Sequence, residues 1–221
     1  MLLNVNIFAR SRKRNYICRP KHFLMNPDQQ LQEQLRLMTS GQLYPATDNA
    51  VLLNVLGQTH ERCYDYNLLR PSQTRQRDEL IRLILGHAGA KLKIISPFLC
   101  DYGFNISVGE NFFANAGLII LDEAPVTFGD NVFIGPNCGF YTAGHPLEAD
   151  LRDAGLEYAR PIAVGNSVWI GGNTAVMPGA TIGDRAVIGG GSVVVGDIPP
   201  DTLAVGNPCR VIRKINQSAD S

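Results

Sequence analysis

From residue 162 to residue 194 an aliphatic side chain returns at every sixth position: Val164, Ile170, Val176, Ile182, Ile188 and Val194. Two positions before each stands Ile162, Val168, Thr174, Ala180, Ala186 or Ser192, mostly small. Glycine follows four of the six aliphatics directly, as Gly165, Gly171, Gly183 and Gly189. Ahead of an interruption, Phe128-Gly129, Ile134-Gly135 and Phe140, preceded by Val126, Val132 and Cys138, keep the same phase. Six matches neither the period of a helix nor that of a strand. Each hexapeptide therefore makes one short extended side ending in a corner, and the sides stack into parallel ladders around a narrow apolar interior. Glycine tolerates the tight corner. The fold class that follows is mainly β, a parallel β-helix, triangular if three hexapeptides close a coil. Residues 104–200 without the interruption suffice for about four coils, roughly 20 Å tall at the ~4.8 Å spacing of strands. The general preference for crossovers favours a right-handed connection.

The interruption, "FYTAGHPLEADLR" at 140–152, is polar and carries His145. A coil position cannot aim an imidazole outward across a cleft, whereas a loop that leaves the coil can. Upstream, residues 25–95 read as a helical segment. Asn26-Pro27-Asp28-Gln29 resembles a capping box, and Leu31, Leu35 and Met38 follow at helical spacing up to Gly41. A second short helix is expected over Ala50 to Leu56, and a third from Ser72 through Leu80, Ile81 and Ile84 to Gly86 at its C′ position. Three short helices make a marginal core alone, so this segment should dock on the β-helix at 96–206, from which a loop at 141–161 protrudes. Residues 207–221 are a C-terminal tail.

Charge is balanced, 20 basic against 20 acidic, but unevenly spread. Residues 1–24 carry Arg10, Arg12, Lys13, Arg14, Arg19 and Lys21 and no acid, so the body is mildly acidic, which argues against nucleic acid as its partner. The leader lacks the apolar stretch of a secretory signal and reads as a disordered extension or an over-long translated start ahead of Met25. No apolar run reaches the roughly 18 residues of a membrane helix. Cys18, Cys63, Cys100, Cys138 and Cys209 share no C-x-x-C spacing and read as reduced, mostly buried thiols of a cytoplasmic protein. No His-x-x-x-x-His or clustered acids suggest a metal.

The stretches "CDYGFNISVGENFFAN", "FGDNVFIGPN", "YTAGHPL", "VGNSVWIGG", "PGATIGDRAVIGGGSVV" and "GNPCRVIRKI", in that order, resemble the maltose and galactoside O-acetyltransferases, sugar acetyltransferases of the hexapeptide-repeat class. The resemblance runs from about residue 30 to 215. It implies a left-handed parallel β-helix with an N-terminal helical segment, a homotrimer, and active sites between subunits that bind acetyl-CoA and a small sugar acceptor. It makes His145 the general base, a role that suits a group titrating near pH 6.5. It places Gly172 beside acetyl-CoA, where a bare backbone N–H can meet an oxyanion. Asn115 matches a position beside the histidine and thioester, Asp101 one that faces the acceptor, and Glu123 one where the galactoside enzymes have an aspartate. Gly190, Val195 and Gly196 fall near the pantetheine, with Thr-Lys in many relatives where this chain has Val195-Gly196. Arg210 and Arg213 fall near the phosphates. Trp169 serves as an acceptor or pantetheine contact, or as a flat aromatic covering a coil edge.

His22, His60 and His87 read as surface or packing residues. Cys138, in the inward series, reads as buried and no nucleophile. Three rivals share the fold: a xenobiotic or amine acetyltransferase, a non-catalytic scaffold with no use for the His145 loop, and a gamma-type carbonic anhydrase, which needs three histidines where the repeats offer one.

Overall fold

The computed structural model describes residues 27–47 and 49–216. The leader, the Asn26 cap and Cys18 lie outside the described residues. The repeats form a left-handed parallel β-helix with three faces. The first face stacks His87–Ala88, Ile106–Val108, Val126–Phe128, Ile162–Val164 and Thr181–Ile182. The second stacks Leu92–Ile94, Phe112–Ala114, Phe133–Ile134, Trp169–Ile170, Val187–Ile188 and Thr202–Val205, and Arg210–Lys214 adds an antiparallel last strand. The third stacks Phe98–Cys100, Leu118–Leu121, Gly139–Tyr141, Ala175–Val176 and Val193–Val194. The chain visits the faces in turn, so three sides close a coil. The right-handed preference does not govern here, because it describes a connection that packs back on its own sheet, whereas each coil travels round two further faces.

The six-residue series points inward. Ile134, Ile170 and Ile188 stack in register with at most 1% exposure, and Phe128 packs edge-on against Phe112 and Phe140 at centroid separations of 5.1 and 4.9 Å. The stack starts ahead of residue 96, since His87 pairs with Ser107 and Lys93 with Phe113. It therefore has more rungs than the four counted from the repeat. The early rungs escape the rhythm because each coil there is two residues longer at one corner, which shifts the phase.

The three edges of the prism differ. At the first-to-second edge, Asn111, Asn131, Ser167, Arg185 and Asp201 take the left-handed conformation, with φ of 55 to 57°. Backbone donors there are satisfied by side chains of the next coil: Glu110 N–H donates to Asp130 Oδ1 (2.8 Å), Asp130 N–H to Asn166 Oδ1 (2.9 Å) and Asn166 N–H to Asp184 Oδ1 (2.7 Å). The second-to-third edge is stripped to backbone at Gly135, Gly172 and Gly190. The third-to-first edge carries nearly all the additional chain.

Helix α1 (Pro27–Met38) precedes α2 (Ala50–Leu68), whose Asn49 cap accepts from Leu52 N–H at 3.2 Å, and α3 (Thr74–Ile84). Helix α2 runs far past the expected Leu56, because contacts along one of its faces hold it to the first coil. Thr59 Oγ1 donates to Tyr102 O (3.2 Å), Cys63 Sγ lies 3.8 Å from Cys100 Sγ, and Asn67 accepts from Phe98 N–H (2.9 Å) and donates to Phe98 O (2.8 Å). Arg77 of α3 locks the same junction by donating to Tyr66 Oη, Ile94 O and Ser96 Oγ. Gly86 follows the extended cap Leu85 without a left-handed turn; a Cβ there would strike the Phe104 carbonyl.

Candidate active site

From Ala175 to Thr181 the third-to-first edge takes six residues, whereas from Leu99 to Ser107 and from Ile119 to Thr127 it takes eight. From Gly139 to Ala163 it takes the whole His145 excursion. Three successive coils thus release their extra residues along one edge, one above another.

The excursion is a hairpin. Ala143–Gly144 pairs antiparallel with Leu156–Ala159, and Tyr44–Pro45 joins its other side with Tyr44 opposite Glu157. A Cβ at Gly144 would press on the Tyr158 ring. A short helix α4 (Ala149–Asp153) closes the tip, and Arg152 donates to Pro146 O (3.1 Å) and Leu147 O (3.3 Å). His145 is therefore held on a braced turn while 54% of its side chain stays exposed. Its Nε2 lies 3.9 Å from Glu157 Oε1, and Tyr44 Oη donates to Glu157 Oε2 at 3.4 Å. Glu157 was not singled out in the sequence. Its one signal is the strand-like run it shares with Leu156, Tyr158 and Ala159.

Below the hairpin lie three acids with different tasks. Asp122 accepts from the N–H groups of Tyr102 (2.8 Å), Asp101 (3.1 Å) and Asn105 (3.3 Å), and shapes the corner. Burial pushes its carboxyl up to about 6. Glu123 is 7% exposed, and burial, reinforced by its hydrogen bond to Asp101 and that residue's charge, raises it to about 9, so it is neutral at pH 7. Thr142 Oγ1 accepts from Ala124 N–H (3.0 Å) and donates toward Leu121 O (2.7 Å) and Glu123 Oε2 (3.2 Å). Asp101 Oδ1 in turn lies 3.1 Å from His60 Nε2, which corrects the reading of His60 as a mere surface or packing residue.

Asp101, Glu123 and His145 thus share the lengthened edge. Asn115, Gly172 and Gly190 occupy the bare one, a face away. Asn115 Oδ1 takes the Ala116 N–H (2.8 Å), which leaves Nδ2 as the donating end of the amide. Asn115 and Trp169 line a shallow cavity of about 410 Å³ with Phe113, Phe133, Ile134 and Gly135. A Cβ on Gly172 would lie 3.0 Å from Pro136, and Gly191 N–H donates to Gly172 O at 2.9 Å. Gly171 and Gly172 stack on Gly189 and Gly190 of the next coil, so the corner is a column of bare backbone. Val195 and Gly196 sit at the C-terminal end of the lengthened edge, not beside Gly172. Cys138 is buried, with Sγ 3.3 Å from Gly171 O.

Arg210 and Arg213 are three apart and would point to opposite sides of a regular strand. A register shift between Leu203 and Ala204 sets them opposite Val205 and Leu203, so both lie on the outward side. Among the described residues, no three His, Cys, Asp or Glu side chains converge as a metal site, and no helix is long and apolar enough to cross a membrane.

The chain matches three family descriptions: "Maltose acetyltransferase hexapeptide capping motif" over residues 37–89, "Hexapeptide repeat of succinyl-transferase" over 125–150 and "Bacterial transferase hexapeptide (six repeats)" over 161–196. It is 46% identical to the galactoside O-acetyltransferase of Escherichia coli over 153 residues, 69% of this chain and 75% of the relative. The crystal structure of a maltose O-acetyltransferase from Clostridium difficile superposes with a TM-score of 0.81 at 44% identity, covering 83% of this chain and 98% of that one. A galactoside acetyltransferase solved in complex with coenzyme A gives 0.78 at 40% identity, covering 84% and 91%. With the capping motif, the repeats and the lengthened edge all present, the chain belongs to the maltose and galactoside O-acetyltransferase family of hexapeptide-repeat acyltransferases.

Proposed function

We propose that the protein transfers the acetyl group of acetyl-CoA directly to a hydroxyl of a sugar or similar small molecule, in the cytoplasm, at sites between the subunits of a homotrimer. The observation that carries this reading is His145, braced on a hairpin beside Glu157 and above the Asp101–Glu123 pair. His145 takes the acceptor's hydroxyl proton as the oxygen attacks the thioester carbonyl. The tetrahedral intermediate collapses, the C–S bond breaks, and the imidazolium returns the proton to the departing CoA sulfur. Glu157 stabilises the imidazolium in between. The neighbouring carboxyls of Asp101 and Glu123 suit an acceptor that carries several hydroxyls.

The trimer is supported by the separation of the two edges. Asn115 and Gly172 lie one face away from His145 in the same chain, so a second copy has to bring its bare edge to the first copy's hairpin. The second face offers an outward ladder for such packing: Phe113, Phe133, Trp169, Val187 and Leu203 are in register, with Phe133 and Trp169 51% and 57% exposed. Arg213 ends that ladder. Coenzyme A would then follow the Gly172–Gly190 column, meet Val195 and Gly196 of the neighbouring edge, and present its phosphates to Arg210 and Arg213. The four described cysteines, all free thiols, fit a reducing compartment.

Mass analysis of the products formed from acetyl-CoA and a panel of sugars, thiogalactosides, amino sugars and chloramphenicol tests the reading. O-acetylated sugars are expected. Acetylation confined to amines or to chloramphenicol overturns the acceptor class, and an active monomer in sedimentation overturns the intersubunit site.

A further inference from the structure

We propose that His60 is a positioning residue of the acceptor site: it holds the Asp101 carboxylate toward the pocket and thereby sets affinity for the acceptor hydroxyls. This rests on the acceptor reading of Asp101 and Glu123 given above.

The placement of His60 is fixed from both sides. Its neighbour Thr59 donates to Tyr102 O, and Cys63, one turn later, lies against the Cys100 side chain, so α2 is held to the residues on either side of Asp101. Within that clamp His60 Nε2 reaches Asp101 Oδ1 at 3.1 Å, with the Asp101 side chain 13% exposed and the imidazole 40% exposed. Asp101 also interacts with Glu123. The imidazole thus restrains the Asp101 carboxyl beside a second acid of the cluster. The charged and titratable groups around the pair are Glu123, Asp122 and Tyr102, and Asp122 is engaged by three backbone N–H groups. His60 stands out as the side chain on α2 that contacts a proposed acceptor residue. Its hydrogen bond is to Asp101 and not to His145. Its effect should fall on acceptor binding.

The experiment is steady-state kinetics of the full-length protein, with whichever acceptor of the panel the wild type acetylates. His60→Leu should raise the acceptor KM roughly 10-fold, the scale of one lost hydrogen bond to a charged group, while the acetyl-CoA KM stays within about 2-fold. His60→Gln keeps a donor of similar reach and should recover most of the loss. In the Asp101→Asn background, His60→Leu should add almost nothing, since its partner is already altered. If the leucine variant does not fold, His60→Glu, which sets a second carboxylate against Asp101, should raise the acceptor KM at least as far. An unchanged acceptor KM, equal losses for both substrates, or full additivity with Asp101→Asn overturns the assignment. A wild type that acetylates no hydroxylated acceptor overturns the sugar reading and this assignment with it; sugar acetylation with an unaffected His60→Leu KM overturns this assignment alone.

Discussion

Two edges of the same prism treat the chain in opposite ways. At the second-to-third edge, successive coils pass with no spare residue, and at Gly135, Gly171 and Gly172 with no side chain, so that Gly135 and Gly171 lie against the backbone of the next coil. At the third-to-first edge, three coils each spill extra residues, and those residues carry Asp101, Asp122, Glu123 and His145. The difference separates two kinds of recognition. A bare edge presents backbone N–H groups and room for a thin, extended ligand; a decorated edge presents carboxyls and an imidazole to a compact polar one. A β-helix keeps both because its ladders fix the core regardless of what happens at a corner.

The largest expected effect is at the decorated edge. His145→Ala should fold and bind acetyl-CoA but lose roughly 10²- to 10⁴-fold in kcat, the general-base contribution. Near-normal turnover of the purified variant would erase the functional contrast between the edges. Next is a steric test of the bare edge. Gly135→Ala puts a Cβ into the Gly172 backbone and should cost about 1–3 kcal/mol in denaturant unfolding, as overpacking does. A variant as stable as wild type would show that the column has slack.

Third, replacing Arg210 and Arg213 together by Gln should raise the acetyl-CoA KM roughly 10-fold, about 1.4 kcal/mol of binding, with kcat far less affected. The KM for acetyl-dephospho-CoA should hardly move, because guanidinium groups suit the 3′-phosphate that it lacks. Equal losses with both donors would move the arginines elsewhere on the ligand or into the fold.

The fourth test uses pH. Folded Glu123 keeps its proton up to about pH 9, while the unfolded chain releases it near 4.5, so unfolding frees a proton between those values. Stability from this group is complete below about pH 4.5 and is lost as pH rises through 9, at no more than about 1.4 kcal/mol per pH unit. Glu123→Gln should flatten that decline in melting temperature between pH 6 and 9. An unchanged slope would show that the acid is ionised in the fold. The smallest effect is expected at Gly196, where a Cβ meets nothing within 4 Å. Gly196→Ala should shift stability by less than about 0.5 kcal/mol, in contrast to Gly135→Ala.

What could be read from the sequence follows from which interactions are periodic. Ile134, Ile170 and Ile188 announce themselves because each coil repeats the same environment, and His145 stands out because it breaks that repeat. The earliest rungs at Lys93 and Leu99 were hidden by the two-residue extension of their coils. Helix α2 was read too short because Gly57 interrupts it and its polar residues form no clear apolar stripe; its length comes from contacts to residues 98–102 that no local pattern reports. Glu157 and His60 were missed for a related reason. Each gains its meaning from a neighbour distant in sequence, Glu157 from Tyr44 and His60 from Asp101, and a lone acid or histidine on a polar segment gives no sign of such a partner.

The lengthened edge also bears on how such a protein can change. Thr127 pairs with Ala163 in the same register in which Ser107 pairs with Thr127, although the entire hairpin lies between them. The ladders are blind to the length of that corner. Segments there can be grown, trimmed or exchanged without re-threading the core, so on the proposed function acceptor preference can diverge while the bare edge stays constant. For engineering, this makes residues 141–161 a cassette. Grafting a relative's hairpin, together with the short strand at Tyr44–Pro45 that braces it, is a more economical route to a new acceptor than substitutions inside the coils.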